Sequence, residues 1–268
     1  MRYEILHLKD FFSALGENGR DATLAAYLPD NLTEMGRDNE AHPSLLICPG
    51  GAYCFCSQRE AEPIALHFLP EGFNVFILYY SVNPYRFPAQ LCEVAAAMEL
   101  IHKNAAAWHC DTARTAIMGF SAGGHLAASA ATMLPEEVRP AFAVLVYPVI
   151  TAEPGKCHKG SFDNLLGTDR TAGDEAQWSL QNRVTASTPP ALLLAADDDR
   201  SVPPVNSVLF YAALKRHGIP ASLRIYPSGG HGGALDPAHI YRAQWRADIL
   251  DWLAMLAHED QKPTSKPR

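Results

Sequence analysis

Nothing in this sequence is apolar for the roughly 18 to 20 consecutive residues that a bilayer-spanning helix needs, so a transmembrane protein is not expected. Positive charge is in deficit as well. The 22 lysines and arginines are outnumbered by 29 aspartates and glutamates, and the net charge of -7 repels polyanions, which makes nucleic acid an unexpected partner. The start, Met1-Arg2-Tyr3-Glu4-Ile5-Leu6-His7, lacks an apolar core behind a basic segment. That points away from a secretory signal and toward a cytoplasmic location. Cysteine is scarce and scattered: Cys48, Cys54, Cys56, Cys92, Cys110 and Cys157 fit no common disulfide framework and read as reduced packing thiols. Cys54 and Cys56 form a C-x-C, but no second pair supplies the remaining ligands of a closed tetrahedral site, so no metal is expected. Internal repeats, low-complexity tracts and an interdomain linker are also missing, and 268 residues fit one large domain, residues 1–268, with a single core.

What is present is alternation. With 48% hydrophobic and 19% charged residues the chain has the composition of a globular protein, and from Ser44 onward short apolar runs alternate with longer segments of helical period. That pattern predicts an α/β fold, a mostly parallel central sheet flanked by helices. Strands are expected over 45–48, 73–80, 114–120, 141–147, 191–196 and 222–226, and helices over 61–69, 89–108, 122–134, 205–217 and 240–256. Residues 1–43 are expected to add antiparallel strands such as Asp21 to Leu28 at the sheet edge, and residues 259–268 to form a frayed polar tail. Residues 148–190 hold no clear strand and are too many for an ordinary connection. They predict a short, partly helical, cap-like excursion over the functional site.

Gly119-Phe120-Ser121-Ala122-Gly123 matches G-x-S-x-G where that motif must lie, after an apolar strand and before a helix of small residues. The turn has to lift the serine hydroxyl above the sheet, and glycines two residues to either side remove side chains that would clash with neighbouring backbone. A serine hydroxyl is a weak nucleophile unless a base takes its proton, so a downstream histidine is needed, oriented by a carboxylate between them in chain order. His231 lies in the glycine loop Ser228-Gly229-Gly230-His231-Gly232-Gly233, just past the last strand. His125, four residues beyond Ser121, reads as a packing or capping residue. Three acids, Asp197, Asp198 and Asp199, follow the strand 191–196; the turn Asp199-Arg200-Ser201-Val202-Pro203 has the D-x-x-V-P form that commonly follows the acid in such folds, which favours Asp199, with Asp198 next. Pro49-Gly50-Gly51-Ala52-Tyr53 after the first parallel strand resembles the HGGG loop of esterases, with proline for histidine and alanine for the last glycine. The backbone NH groups of Gly51, Ala52 and Ala122 are therefore the expected donors to a developing oxyanion. Tyr53, just past this loop, is placed as a residue lining the acyl or alcohol site, with packing as the alternative for an aromatic at this position.

These segments together, with Gly119 to Ala127, Thr188-Pro189-Pro190, Asp198 to Ser207, Gly229 to Gly232 and Gly160 to Gly167, resemble bacterial α/β-hydrolases of the acetyl esterase and acetyl xylan esterase group. The resemblance runs from about Ser44 to Leu235. It implies the α/β-hydrolase fold, hydrolysis of small acyl esters, including those of acetylated carbohydrates, no metal or organic cofactor, and the roles of nucleophile, acid and base for Ser121, Asp199 and His231. Two other readings share the scaffold: a non-catalytic binding protein that keeps the pocket, and a peptidase of the prolyl oligopeptidase type, which usually carries an additional propeller.

Overall fold

The structure is a computed structural model that describes residues 1–38, 40–233 and 236–259. Its centre is an eight-stranded sheet. The strands are β1 (Arg2–His7), β2 (Thr23–Leu28), β3 (His42–Cys48), β4 (Asn74–Tyr79), β5 (Cys110–Phe120), β6 (Phe142–Val146), β7 (Ala191–Ala196) and β8 (Ala221–Tyr226), in the spatial order β1-β2-β4-β3-β5-β6-β7-β8. The pairs β1/β2 and β2/β4 are antiparallel and all others parallel. The antiparallel strand expected at the sheet edge is thus second from it. β1 lies outside β2, and its half-exposed RYEILH pattern gives only the weak signal of an edge strand.

The apolar runs are continuous because both faces are covered. Leu46, Phe76, Leu78, Ile117, Leu145 and Leu193 point to one side, where they pack with α2 (Ala89–Lys103), α4 (Ala122–Met133) and α7 (Val205–Arg216). Their neighbours Leu45, Ile47, Val75, Ile77, Met118, Val144 and Leu194 point to the other, against Ile64, Ala65 and Phe68 of α1 (Glu62–Phe68) and Trp245, Ile249 and Trp252 of α8 (Arg242–Glu259). The alternation of successive side chains across the sheet therefore sorts one apolar strand into two cores.

One expected helix is divided. The segment 89–108 breaks at Asn104, whose side-chain amide donates to the Leu100 carbonyl at 2.8 Å, and a short α3 (Ala105–Trp108) follows. An asparagine that satisfies a helix carbonyl with its own side chain competes with helix propagation. The excursion 148–190 carries α5 (Lys159–Leu166) and α6 (Ala172–Gln177). Phe162 and Trp178 from it bury against Val149, Ala152 and Val202, and Arg170 ties α5 to α6 through Asp163 and Glu175. Glu259 is still helical, while 260–268, the rest of the expected frayed tail, lie outside the described residues.

Candidate active site

The strand β5 ends in the middle of the sheet, and the chain turns at Ser121 directly into α4. Ser121 has φ 54 and ψ -118, a conformation a non-glycine residue adopts only when its surroundings force it. The neighbours of the turn show why. A Cβ on Gly119 would stand 2.2 Å from the Gly123 carbonyl oxygen, and one on Gly123 only 2.1 Å from the Cys48 carbonyl oxygen. The helix can start this close to β3 and β5 only without those side chains, and the tight turn presents the Ser121 hydroxyl to the cleft.

His231 arrives there from the loop after β8. Its Nδ1 lies 2.7 Å from Asp199 Oδ2 and its Nε2 lies 2.9 Å from Ser121 Oγ. A carboxylate only accepts, so Nδ1 carries the proton and the Nε2 lone pair is left to accept from the serine hydroxyl. Asp199 is 4% exposed, and its other oxygen accepts the NH groups of Ser201 and Val202 at 2.9 Å each. The turn after β7 therefore aims this carboxylate by backbone bonds alone. Asp198 points outward instead and accepts the NH of Gly230 at 2.8 Å, a contact that holds its carboxyl below the ordinary range and tethers the histidine loop. Of the three acids, Asp199 alone meets the imidazole.

Gly51 and Ala52 line the same cleft as Ser121 and His231. The Gly50 NH is taken up by the Glu60 carboxylate at 2.9 Å, whereas among the described residues no hydrogen bond occupies the NH of Gly51, Ala52 or Ala122. Ala52 has φ 57, the left-handed region that glycine enters at least expense, which accounts for the glycine usual at this place in HGGG loops.

Tyr53 corrects an expectation. It also has φ 57, and this turns the ring into the core, where it is 1% exposed and its hydroxyl donates to His125 Nδ1 at 2.9 Å. It does not line the cleft of Ser121. His125 is buried beside it, bonded through Nε2 to the Trp178 carbonyl at 3.0 Å, and burial pulls its pKa down to about 4. A neutral histidine thus pins the excursion to the helix that starts at the serine.

Three residues that sequence patterns did not single out complete the surroundings. Glu60 is buried and accepts from the Tyr147 hydroxyl at 2.6 Å as well as from Gly50, and the Tyr147 ring lies 4.8 Å from that of His231. A single carboxylate therefore joins the Gly50 loop to the packing of the histidine. Burial drives the Tyr147 hydroxyl far above its ordinary pKa, so it stays a donor. Asn164 of α5 donates to the Ala52 carbonyl at 2.9 Å and accepts from Asn83 at 3.1 Å, tying the excursion to the loop beside the serine. The only prior signal for Asn164 was its place in the segment 160–167; Glu60 and Tyr147 had none, being 87 residues apart in the chain.

A model of the prolyl oligopeptidase family matches residues 93–259, and one named BD-FAE matches residues 28–140. An acetylxylan esterase of Xylanibacter ruminicola is 34% identical over 253 residues, 92% of this chain and 51% of that protein. Endo-1,4-beta-xylanase B of Butyrivibrio fibrisolvens is 34% identical over 224 residues, 77% of this chain and 35% of that protein. The chain thus spans about half and about a third of the length of these two relatives. Among solved structures, an acetyl ester-xyloside bifunctional hydrolase from Caldicellulosiruptor lactoaceticus superposes with a TM-score of 0.86 at 32% identity, covering 96% of this chain and 97% of that one.

Proposed function

Because this chain belongs to the prolyl oligopeptidase family of α/β-hydrolases, we propose that it is a serine carboxylic ester hydrolase that removes acetyl groups from sugar esters. The observation that carries this reading is the single imidazole bonded at once to Ser121 Oγ and Asp199 Oδ2. Such a relay has no structural need in a binding protein, because it places a proton acceptor on a hydroxyl at the floor of an open cleft. The acetyl and sugar parts of the proposal are supported by the two relatives named as an acetylxylan esterase and an acetyl ester-xyloside hydrolase.

In the first half-reaction Ser121 Oγ attacks the ester carbonyl while His231 Nε2 takes the hydroxyl proton. The tetrahedral oxyanion is held by the NH groups of Gly51, Ala52 and Ala122, and losing one such donor typically lowers turnover about a hundredfold or more. Asp199 keeps the imidazole in its reactive tautomer and stabilises the imidazolium. When the intermediate collapses, the C–O bond to the alcohol breaks and Nε2 returns its proton to the departing alkoxide. Water then gives a proton to Nε2, attacks the acetyl-enzyme, and the acid leaves as Ser121 recovers its hydrogen.

A cytoplasmic setting is part of the same proposal; the six cysteines are all unpaired, as a reducing compartment would leave them. Among the described residues no helix is long and apolar enough to cross a membrane. The direct test is turnover of p-nitrophenyl acetate, acetylated xylo-oligosaccharides and an aminoacyl p-nitroanilide by wild type and by Ser121→Ala. Release of acetate from both esters, with the anilide slow and the variant at background, is the result expected. Equal rates in the two proteins, or preference for the anilide, would refute it.

A further inference from the structure

Beside the nucleophile the cleft carries a full positive charge that has no ion-pair partner among the described residues. Arg59, in the short helical turn Gln58–Glu60, lines the cleft with Ser121, His158, Ser201 and His231. Its guanidinium lies against the histidine loop: a Cβ on Gly232 would stand 2.6 Å from Nη2, so the space it occupies exists because residue 232 has no side chain. Among the described residues no carboxylate comes within 4.0 Å of it. Two acids of the site, Glu60 and Asp199, are both committed elsewhere. Glu60 is turned inward onto Gly50 and Tyr147, and both oxygens of Asp199 are taken by His231, Ser201 and Val202. The other polar groups of the wall, Ser57, Ser201 and His158, are neutral; burial lowers the His158 pKa and the nearby His231 lowers it further. They suit hydroxyl groups, whereas Arg59 presents a planar fork of donors that suits a carboxylate.

We infer that Arg59 is a specificity-determining residue that recognises a carboxylate on the alcohol part of the ester, so that acetylated uronic-acid sugars are preferred over neutral ones. The side of the ester follows from geometry. His231 hands its proton to the departing alcohol, and Arg59 sits on the residue next to His231, so its charge faces the alcohol rather than the acyl methyl. This rests on the esterase reading above.

The experiment compares kcat/KM for a methyl glucuronoside carrying one O-acetyl group with that for the same compound as its neutral carboxamide. At low ionic strength wild type should favour the carboxylate about threefold to fivefold, the scale of an exposed ion pair, and added salt should narrow the ratio. Arg59→Gln should bring the ratio to about one, and Arg59→Lys should keep it above one. Because the ratio is taken within each protein, a general loss of activity does not imitate the effect. Equal turnover of the two compounds by wild type overturns the inference while leaving the esterase reading intact. An unchanged ratio in Arg59→Gln also overturns it, as does a preference shown instead for a monoester of a dicarboxylic acid, which would put the charge on the acyl side. Failure of wild type to deacetylate either compound overturns both.

Discussion

Replacing Asp199 by Asn exchanges one oxygen for an amide nitrogen and leaves the volume nearly unchanged. The side chain then has two orientations. In one, the remaining oxygen keeps the NH groups of Ser201 and Val202, and the NH2 faces His231 Nδ1. The imidazole must then accept at Nδ1 and carry its proton on Nε2, where it can no longer receive one from Ser121. In the flipped orientation the oxygen faces His231, but the NH2 confronts two backbone donors and both bonds are lost. At about 1 kcal/mol for each bond, the flip costs about 2 kcal/mol or more, so it is filled in no more than about one molecule in thirty. The loss in kcat on p-nitrophenyl acetate should therefore be at least about thirtyfold, and on the scale of wrong-tautomer variants in serine hydrolases it reaches about ten-thousandfold, or roughly 5.5 kcal/mol of transition-state stabilisation. Asp198→Asn, which weakens only the contact to the Gly230 NH, should lose less than about tenfold. Both proteins should unfold near the wild-type temperature. A loss below tenfold in Asp199→Asn, or an equal loss in Asp198→Asn, would refute the assignment of the acid.

Gly123→Ala would set a methyl 2.1 Å from the Cys48 carbonyl oxygen and 2.3 Å from that of Pro49, so the β3–α4 contact must open; thermal unfolding should show a loss of about 3 kcal/mol or more, or no folded protein, and an unchanged Tm would contradict it. Because burial lowers His125 to about 4 from 6.5, the unfolded chain binds a proton there that the folded one refuses between these values. Stability should thus fall as pH drops from 6.5 toward 4, by about 2 kcal/mol at pH 5 from this residue. Denaturant midpoints of wild type and His125→Gln from pH 7 to 5 check this, and parallel curves would refute it. Asn164→Leu removes the donor to the Ala52 carbonyl and should lower kcat roughly tenfold, the scale of one positioning hydrogen bond; kcat within twofold of wild type would show that the excursion does not steady the loop.

The parts of the site legible in the sequence are those that local backbone demands impose. An elbow needs glycine at 119 and 123 whatever surrounds it, the acid needs a turn that offers two NH groups, and the histidine needs a loop able to reach back over the sheet. Each leaves a short pattern, and Ser121, Asp199 and His231 come together at 2.7 and 2.9 Å. The α/β class was legible for a similar reason, because a strand buried on both faces must be apolar throughout. What sequence order hides is which distant side chain meets which. Tyr53 stands next to the loop Gly50-Gly51-Ala52, yet its partner His125 is 72 residues away, and only the αL backbone at 53 turns the ring inward. Glu60 carries no local signal, because Gly50 and Tyr147 are brought to it only by the fold. β1 falls in the region expected to add antiparallel edge strands, but its bounds are not legible because an edge strand half open to water needs no strong pattern, and the break at Asn104 depends on one side-chain bond within an otherwise helical alanine run.

The central claim is that an acyl group passes through Ser121. It is tested most directly by mixing the protein with p-nitrophenyl acetate, quenching in acid within the burst of p-nitrophenol release, and locating the acetyl group by peptide mass spectrometry. Acetyl on Ser121, disappearing as the burst decays and missing in Ser121→Ala, is the result expected. Continued turnover with Ser121 unmodified, or with the acetyl group on another residue, would contradict it.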